Sequence, residues 1–175
     1  SIAVRDRLWA RAMAVEQGGV TVCLVSCDLI ALPKRLAEQV RRIVVHDTDL
    51  PGRCLMVHCT HTHSGPGTGA YIGWGEADAP YLEGLPRRIA AACVQALAGL
   101  QEATLRHAAV PCEGVVRAAE GESGAVLPDE DALVEEWRPS RPECRGSVCH
   151  IAKFEADGRT VGFLSRFGCH PVVSG

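Results

Sequence analysis

The sequence predicts an α/β layered domain with mixed β-sheets flanked by helices, and three observations lead to this prediction. Segments 20–27 and 53–59 are apolar at nearly every position, which is typical of strands buried on both faces of a sheet. A segment with helical spacing of its apolar residues follows each of these strands. Further along, Asp157-Gly158 separates two strand-like segments and predicts a hairpin. Strands and helices that alternate before a hairpin indicate a layered α/β domain.

Each predicted element has its own signal. The first strand ends at the turn Gln17-Gly18-Gly19, and Pro33 suits the first turn of the helix that follows the second strand. Residues 120–145, rich in Gly, Pro and acidic side chains, predict an exposed excursion. The predicted elements, in chain order, are strand 6–16, strand 20–27, helix 34–45, strand 53–59, helix 79–100, strand 103–110 and the hairpin strands 147–155 and 160–169.

The composition is that of one ordinary globular domain. The chain has 175 residues, of which 47% are hydrophobic and 22% charged, and its formal net charge is −3. This balance argues against a nucleic-acid partner, and no apolar run is long enough for a transmembrane segment. The first ten residues, SIAVRDRLWA, carry charges where a signal peptide would be apolar. We therefore expect a cytoplasmic protein.

The nine cysteines require a choice between disulfides, metal ligation and burial. Their number is odd, their spacings do not form a paired zinc pattern, and most lie in apolar runs such as VTVCLVSC. We expect reduced, buried thiols that behave as small hydrophobic side chains. The alternative, a disulfide or redox pair, is best placed at Cys144 and Cys149.

Three of the seven histidines lie together in the segment VHCTHTHSGPG. His61 and His63 are two residues apart, which in extended backbone places both rings on one side. They follow a predicted buried strand, and in α/β proteins the loops at that end of the sheet form the ligand crevice. Because imidazole is a common zinc ligand, the pattern predicts a metal site. His58 lies inside the strand and is expected to be a core histidine.

Two further residues occupy comparable positions. His170 follows the last predicted strand and precedes Pro171, so the chain turns there. Two strand-exit histidines in one sheet either share a metal ion or remain apart, and the spacing does not decide between these. Asp28 follows strand 20–27 at another strand exit. It either orients a ligand histidine as a supporting carboxylate or is a plain loop carboxylate.

Three segments resemble one known family. CTHTHSGPG at 59–67 resembles the histidine motif of the neutral, non-lysosomal ceramidases, and FGCHPVVSG at 167–175 resembles their second histidine segment. RDRLWARAMAVEQGGVTVCLVSCDLIAL is similar to the opening strand pair of that family. The resemblance extends over essentially the whole chain. It implies the N-terminal part of a catalytic domain that binds one zinc ion and hydrolyses the amide bond of ceramide.

The resemblance also implies roles for individual residues. His61 and His170 would be zinc ligands, and His63 would contact the reacting groups rather than the metal. Arg117 falls near a segment in which the family's arginine lines the site, although Val116 stands where the family has Asn.

Two other features depart from the family. Gly69 after Thr68 replaces the family's paired glycines, which would change how substrate packs on this loop. The family's remaining zinc ligands, a Glu and a Tyr, come from later in the domain than this sequence extends. We therefore expect residues 1–175 to be a single N-terminal segment of a larger functional unit. The C-terminal remainder is absent from the sequence, or is a companion chain after proteolysis or self-cleavage near Gly175, or has been lost together with activity.

The leading interpretation is a zinc-dependent hydrolase of linear amides, incomplete as this chain alone. Zinc would activate a water molecule, and His63 or Arg117 would stabilise the developing oxyanion. The substrate would be a small-molecule amide or lactam, or a lipid amide, and no basic amphipathic helix favours a lipid surface. Homo-oligomer formation stays open.

Other interpretations are weaker. An amidohydrolase barrel needs eight βα units, more than 175 residues allow. A metallo-β-lactamase needs an Asp where Gly65 stands. A metal-free or inactive ceramidase-like binding or scaffold domain remains the alternative, and metal content separates it from the hydrolase.

Overall fold

The computed structural model describes residues 6–71, 76–111 and 148–167. These residues fall into two compact units that divide between residues 101 and 102. The prediction that the whole chain is a single segment of one catalytic domain stays a prediction.

The first unit is built on a three-stranded mixed sheet, as the sequence predicted. Its strands are β1 (Ala10–Gln17), β2 (Val20–Cys27) and β3 (Leu55–Cys59), in the order β1-β2-β3. β1 and β2 are antiparallel and are joined at Gly18 and Gly19, whose φ angles of 58° and 77° only glycine adopts readily. β2 and β3 are parallel, so their carboxyl ends meet at the same edge of the sheet.

Two helices cover one face of this sheet. α1 (Lys34–Asp47) buries a stripe made of Leu36, Val40 and Val44, which lie four residues apart and therefore share a face. α2 (Ala79–Ala98) is capped at its N-terminus by Asp78, whose side chain accepts a hydrogen bond from the backbone N–H of Tyr81. A short 3₁₀ turn (Gly52–Cys54) precedes β3.

The core lies between the helices and one face of the sheet. Cys23, Val25 and Cys27 of β2 are buried there. The opposite face is more open, since Val22 is 47% exposed and Met56 is 60% exposed. The prediction that β2 is buried on both faces is therefore wrong for this structure. An apolar run shows that both faces tolerate burial, but it does not show which layer covers each face.

The second unit is an antiparallel sheet of β4 (Thr104–Pro111), β5 (Val148–Ala156) and β6 (Arg159–Arg166), in that order. The predicted hairpin is confirmed, with Asp157 and Gly158 at φ angles of 51° and 73°. Glu155 accepts hydrogen bonds from Lys153 and Arg106, and these cations lower the pKa of its carboxyl group.

No helix in the described part of the chain is long and apolar enough to cross a membrane.

Candidate functional site

The predicted site lies where β2 and β3 end. The chain leaves β2 into residues 28–32, here called the acceptor segment, and leaves β3 into residues 60–68, here called the histidine loop. Because the two strands are parallel, both segments start from the same sheet edge. This is the edge at which α/β proteins place their ligands, and the predicted placement of His61 and His63 at a strand exit is confirmed.

Backbone hydrogen bonds join the two segments beyond the strand ends. The N–H of Thr60 donates to the carbonyl of Cys27, and the N–H of His61 donates to the carbonyl of Leu29, each at 2.9 Å. These bonds continue the pairing of β2 and β3 into the loops. The first two residues of the histidine loop are therefore bonded to the end of β2 and to the acceptor segment.

His61 has the most constrained geometry of the site. Its φ angle is 62°, in the left-handed region that is uncommon for residues other than Gly, although Asn, Asp and His are enriched there. Its Nδ1 lies 2.7 Å from the carbonyl oxygen of Ile30. Because a carbonyl can only accept, Nδ1 carries the proton, and in the neutral ring the lone pair is on Nε2. A metal-binding histidine commonly has this arrangement, with one nitrogen held by a carbonyl and the other presented to the ion.

His63 lies beside His61, although not for the predicted reason. The two ring centroids are 5.0 Å apart and the planes are nearly perpendicular, at 83°. The sequence prediction assumed an extended backbone, and the positive φ of His61 shows that this assumption is wrong. The loop brings the two rings together through the left-handed turn at His61.

Asp28 ties the start of β1 to the end of β2. Its carboxylate accepts hydrogen bonds from the backbone N of Trp9 at 3.0 Å and from Arg11 Nη1 at 3.1 Å. The group that holds Nδ1 of His61 is the carbonyl of Ile30, not this carboxylate. A supporting role of Asp28 toward another ligand histidine stays a prediction.

His58 lies on the exposed side of β3, so the expectation of a core histidine is wrong. Its Nδ1 is 3.2 Å from the Ser26 hydroxyl on the neighbouring strand. His58 occupies the face of the sheet that the helices leave open, because side chains of a strand alternate between the two faces.

Two cysteines, Cys27 and Cys59, lie at the strand ends next to the site, and their surroundings disfavour the thiolate form. Cys27 and Cys59 are the last residues of their strands and are paired in register. Burial raises the pKa of Cys27 to about 12, with smaller contributions from the nearby Cys59 and Asp28. Burial also raises the pKa of Cys59. Both side chains therefore stay protonated near neutral pH and are poor metal ligands or nucleophiles.

Two of the predicted site residues cannot be placed. His170 and Arg117 lie outside the described residues, as do Cys144 and Gly175. Within residues 6–71, 76–111 and 148–167, no three His, Cys, Asp or Glu side chains form a cluster that could hold a metal ion. The described part of the site is thus the pair His61 and His63, with the backbone that holds it.

Sequence reasoning missed two contributors to this geometry. The acceptor of the His61 hydrogen bond is the backbone carbonyl of Ile30, and the side-chain type at position 30 does not indicate that its carbonyl takes part. Thr68 is buried and bonded to Ala31 at the far end of the histidine loop. The position of Thr68 between Gly67 and Gly69 is the signal that the sequence offers for it.

Comparison with solved structures identifies the fold as that of neutral ceramidases. The chain is similar to a structure described as ceramidase complexed with C2, with a TM-score of 0.75 and 21% sequence identity. It is also similar to the neutral ceramidase from Pseudomonas aeruginosa, with a TM-score of 0.74 and 22% identity. Each comparison covers 94% of this chain and 26% of the other, so the chain spans about a quarter of their length. The resemblance seen in the sequence is thereby confirmed at the level of the fold. No protein-family profile and no curated protein sequence matches the chain.

Proposed function

We propose that this chain supplies part of the active site of a zinc-dependent amide hydrolase. The observation that carries the proposal is the pairing of Nδ1 of His61 with the carbonyl of Ile30, the arrangement in which a ligand histidine binds a metal through Nε2. The ceramidase fold supports the same reading, because the histidine loop stands at the ligand-binding edge of the sheet. His170 is the proposed second ligand.

His61, the proposed ligand among the described residues, is of a residue type that zinc commonly takes. The proton that His61 shares with the carbonyl of Ile30 is on Nδ1, so that Nε2 is the nitrogen through which the neutral ring would bind a metal, and the left-handed backbone of this residue is uncommon outside functional sites and turns. A bound zinc ion supplies an activated water at neutral pH and polarises an acyl oxygen.

The chain's own residues divide the remaining tasks. The carbonyl of Ile30 keeps the proton on Nδ1 of His61 and so prevents the ring from presenting its other tautomer. His63 stands next to His61 and is the proposed group that holds a proton for the departing amine nitrogen. Arg117 is the proposed group that stabilises negative charge on the acyl oxygen.

The proposed substrate is an amide, either linear or a lactam, whose acyl group lies next to the histidine loop. A small-molecule amide, a lactam and a long-chain lipid amide are the substrates to compare. The other ligands would come from the remainder of a ceramidase-sized protein, joined to this chain or separated from it by cleavage near Gly175.

The test uses the full-length protein, with whatever companion chain accompanies it. Bound zinc is measured by elemental analysis, and hydrolysis is followed on N-acyl amides of short and long acyl chain and on a lactam. We expect about one zinc per protein and cleavage that is lost in His61→Asn, which tolerates the left-handed backbone but removes the imidazole. Wild-type protein that binds no zinc, yet folds normally, would favour the metal-free binding or scaffold domain instead.

A further inference from the structure

Thr68 is a buried hydroxyl at the far end of the histidine loop. The side chain is 1% exposed, and its Oγ1 donates to the carbonyl of Ala31 at 2.7 Å. Burying a hydroxyl away from water raises the free energy of the folded state unless the hydroxyl makes a hydrogen bond. The bond to Ala31 is therefore a firm anchor for the residues around it.

The two anchors of the histidine loop lie on neighbouring carbonyls. Ile30 accepts from the ring of His61, and the next residue, Ala31, accepts from Thr68. The beginning and the end of the loop are thus bonded to one short stretch of the acceptor segment. If the backbone at Ala31 shifts because its bond to Thr68 is lost, the carbonyl of Ile30, which accepts from His61, shifts with it.

The loop between these anchors depends on them for its shape. It contains Gly65, Pro66 and Gly67, and glycine leaves the backbone many conformations. Gly65 packs closely, since a Cβ placed there would come within 3.3 Å of the Leu8 side chain. Gly67 faces open space. After Thr68 the chain turns at Gly69, whose φ is 73°.

We propose that Thr68 is a positioning residue for His61. Its hydrogen bond to Ala31 fixes the acceptor segment and the returning end of the loop, so that Nδ1 of His61 stays on the carbonyl of Ile30. The consequence for zinc rests on the proposed function, whereas the consequence for the His61 tautomer does not.

The test compares three variants of the full-length protein. Thr68→Val removes the hydroxyl and keeps the shape, and Thr68→Ser restores the hydroxyl. Thr48→Val is the matched control, because Thr48 Oγ1 also donates to a carbonyl at 2.7 Å, that of Val44, at the end of α1. The tautomer of His61 is read by ¹⁵N NMR of the metal-free protein, and zinc affinity by competition with a chelator.

We expect wild type, Thr68→Ser and Thr48→Val to show a single tautomer of His61 with the proton on Nδ1. Thr68→Val is expected to show a mixture of tautomers and about tenfold weaker zinc binding, as is common when a group that supports a ligand is lost. Thr68→Ala gives the same readouts should the valine variant fail to fold.

Two outcomes separate this inference from the proposed function. If wild type binds zinc and Thr68→Val changes neither the tautomer nor the affinity, the positioning role is overturned while the proposed function stands. If wild type binds no zinc but Thr68→Val still mixes the tautomers, the proposed function fails and the positioning role is supported.

Discussion

Trp9 and Asp28 exchange two hydrogen bonds across the edge of the sheet. The N–H of Trp9 donates to the Asp28 carboxylate at 3.0 Å, and the N–H of Asp28 donates to the carbonyl of Trp9 at 2.8 Å. Arg11 pairs with the same carboxylate at 3.1 Å, and its guanidinium lies 5.5 Å from the centre of the Trp9 ring. This joins the start of β1 to the residue from which the acceptor segment departs.

Replacing Asp28 therefore tests whether its carboxylate stabilises the edge of the sheet or supports a metal-binding histidine. Asp28→Ala is expected to lower the free energy of unfolding by about 1–2 kcal/mol, because two donors lose their acceptor. Asp28→Asn keeps an acceptor for Trp9 and is expected to lose less. Urea denaturation measures both. If both variants unfold like wild type but bind zinc weakly, Asp28 supports a ligand histidine rather than the sheet edge.

The core beneath α1 gives a prediction with a control on the same helix. Val40 is fully buried and Val45 is 45% exposed. Val40→Ala is expected to destabilise the protein by about 2 kcal/mol, because it removes buried methyl groups and leaves a cavity. Val45→Ala is expected to change stability by less than about 0.5 kcal/mol. Chemical denaturation of the two variants side by side measures the difference, and equal losses would contradict the described packing.

The raised pKa of Cys27 predicts a loss of stability at high pH. Its ordinary pKa is 9.0 and its folded value about 12, so between these values the unfolded chain releases a proton that the folded chain retains. Stability then falls as the pH rises through this window, by at most about 1.4 kcal/mol per pH unit from this group. Cys27→Val is expected to flatten the decline, measured by urea unfolding from pH 8 to 11. A slope identical to that of wild type would contradict the prediction.

Thr60 carries a hydroxyl that is buried and makes no hydrogen bond within the described part of the structure. Its neighbour in sequence is His61. Thr60→Val is expected to be neutral or to raise the free energy of unfolding by up to about 1 kcal/mol, because it removes an unsatisfied polar group and keeps the shape. Thermal and urea denaturation measure this. A loss above about 1 kcal/mol would mean that the hydroxyl has a partner of its own.

The elements of the fold follow from local patterns. α1 and β2 have the predicted positions because their apolar spacing and turn residues are local signals. The pairing of β4 with β5, by contrast, joins residues on either side of 112–147, and no local pattern specifies such a distant partner. The open face of β2 was missed for a related reason, since burial depends on which layer covers a strand.

In the site too, the features set by local sequence were predictable and those set by distant contacts were not. The sequence predicted that His61 and His63 would stand together at a strand exit, because residue type and strand position are local. The left-handed backbone of His61 and its bond to Ile30 were not predictable, because they depend on how the acceptor segment runs beside the histidine loop. The bond of Thr68 to the carbonyl of Ala31 was not predictable for the same reason.

The most direct test of the central claim is a zinc titration of the full-length protein followed by ¹⁵N NMR of its histidines. The account predicts that Nε2 of His61 shifts on binding while Nδ1 keeps its proton on the carbonyl of Ile30, and that His61→Asn abolishes the response. Zinc that binds without any change at His61, or that displaces the Nδ1 proton, would contradict the account.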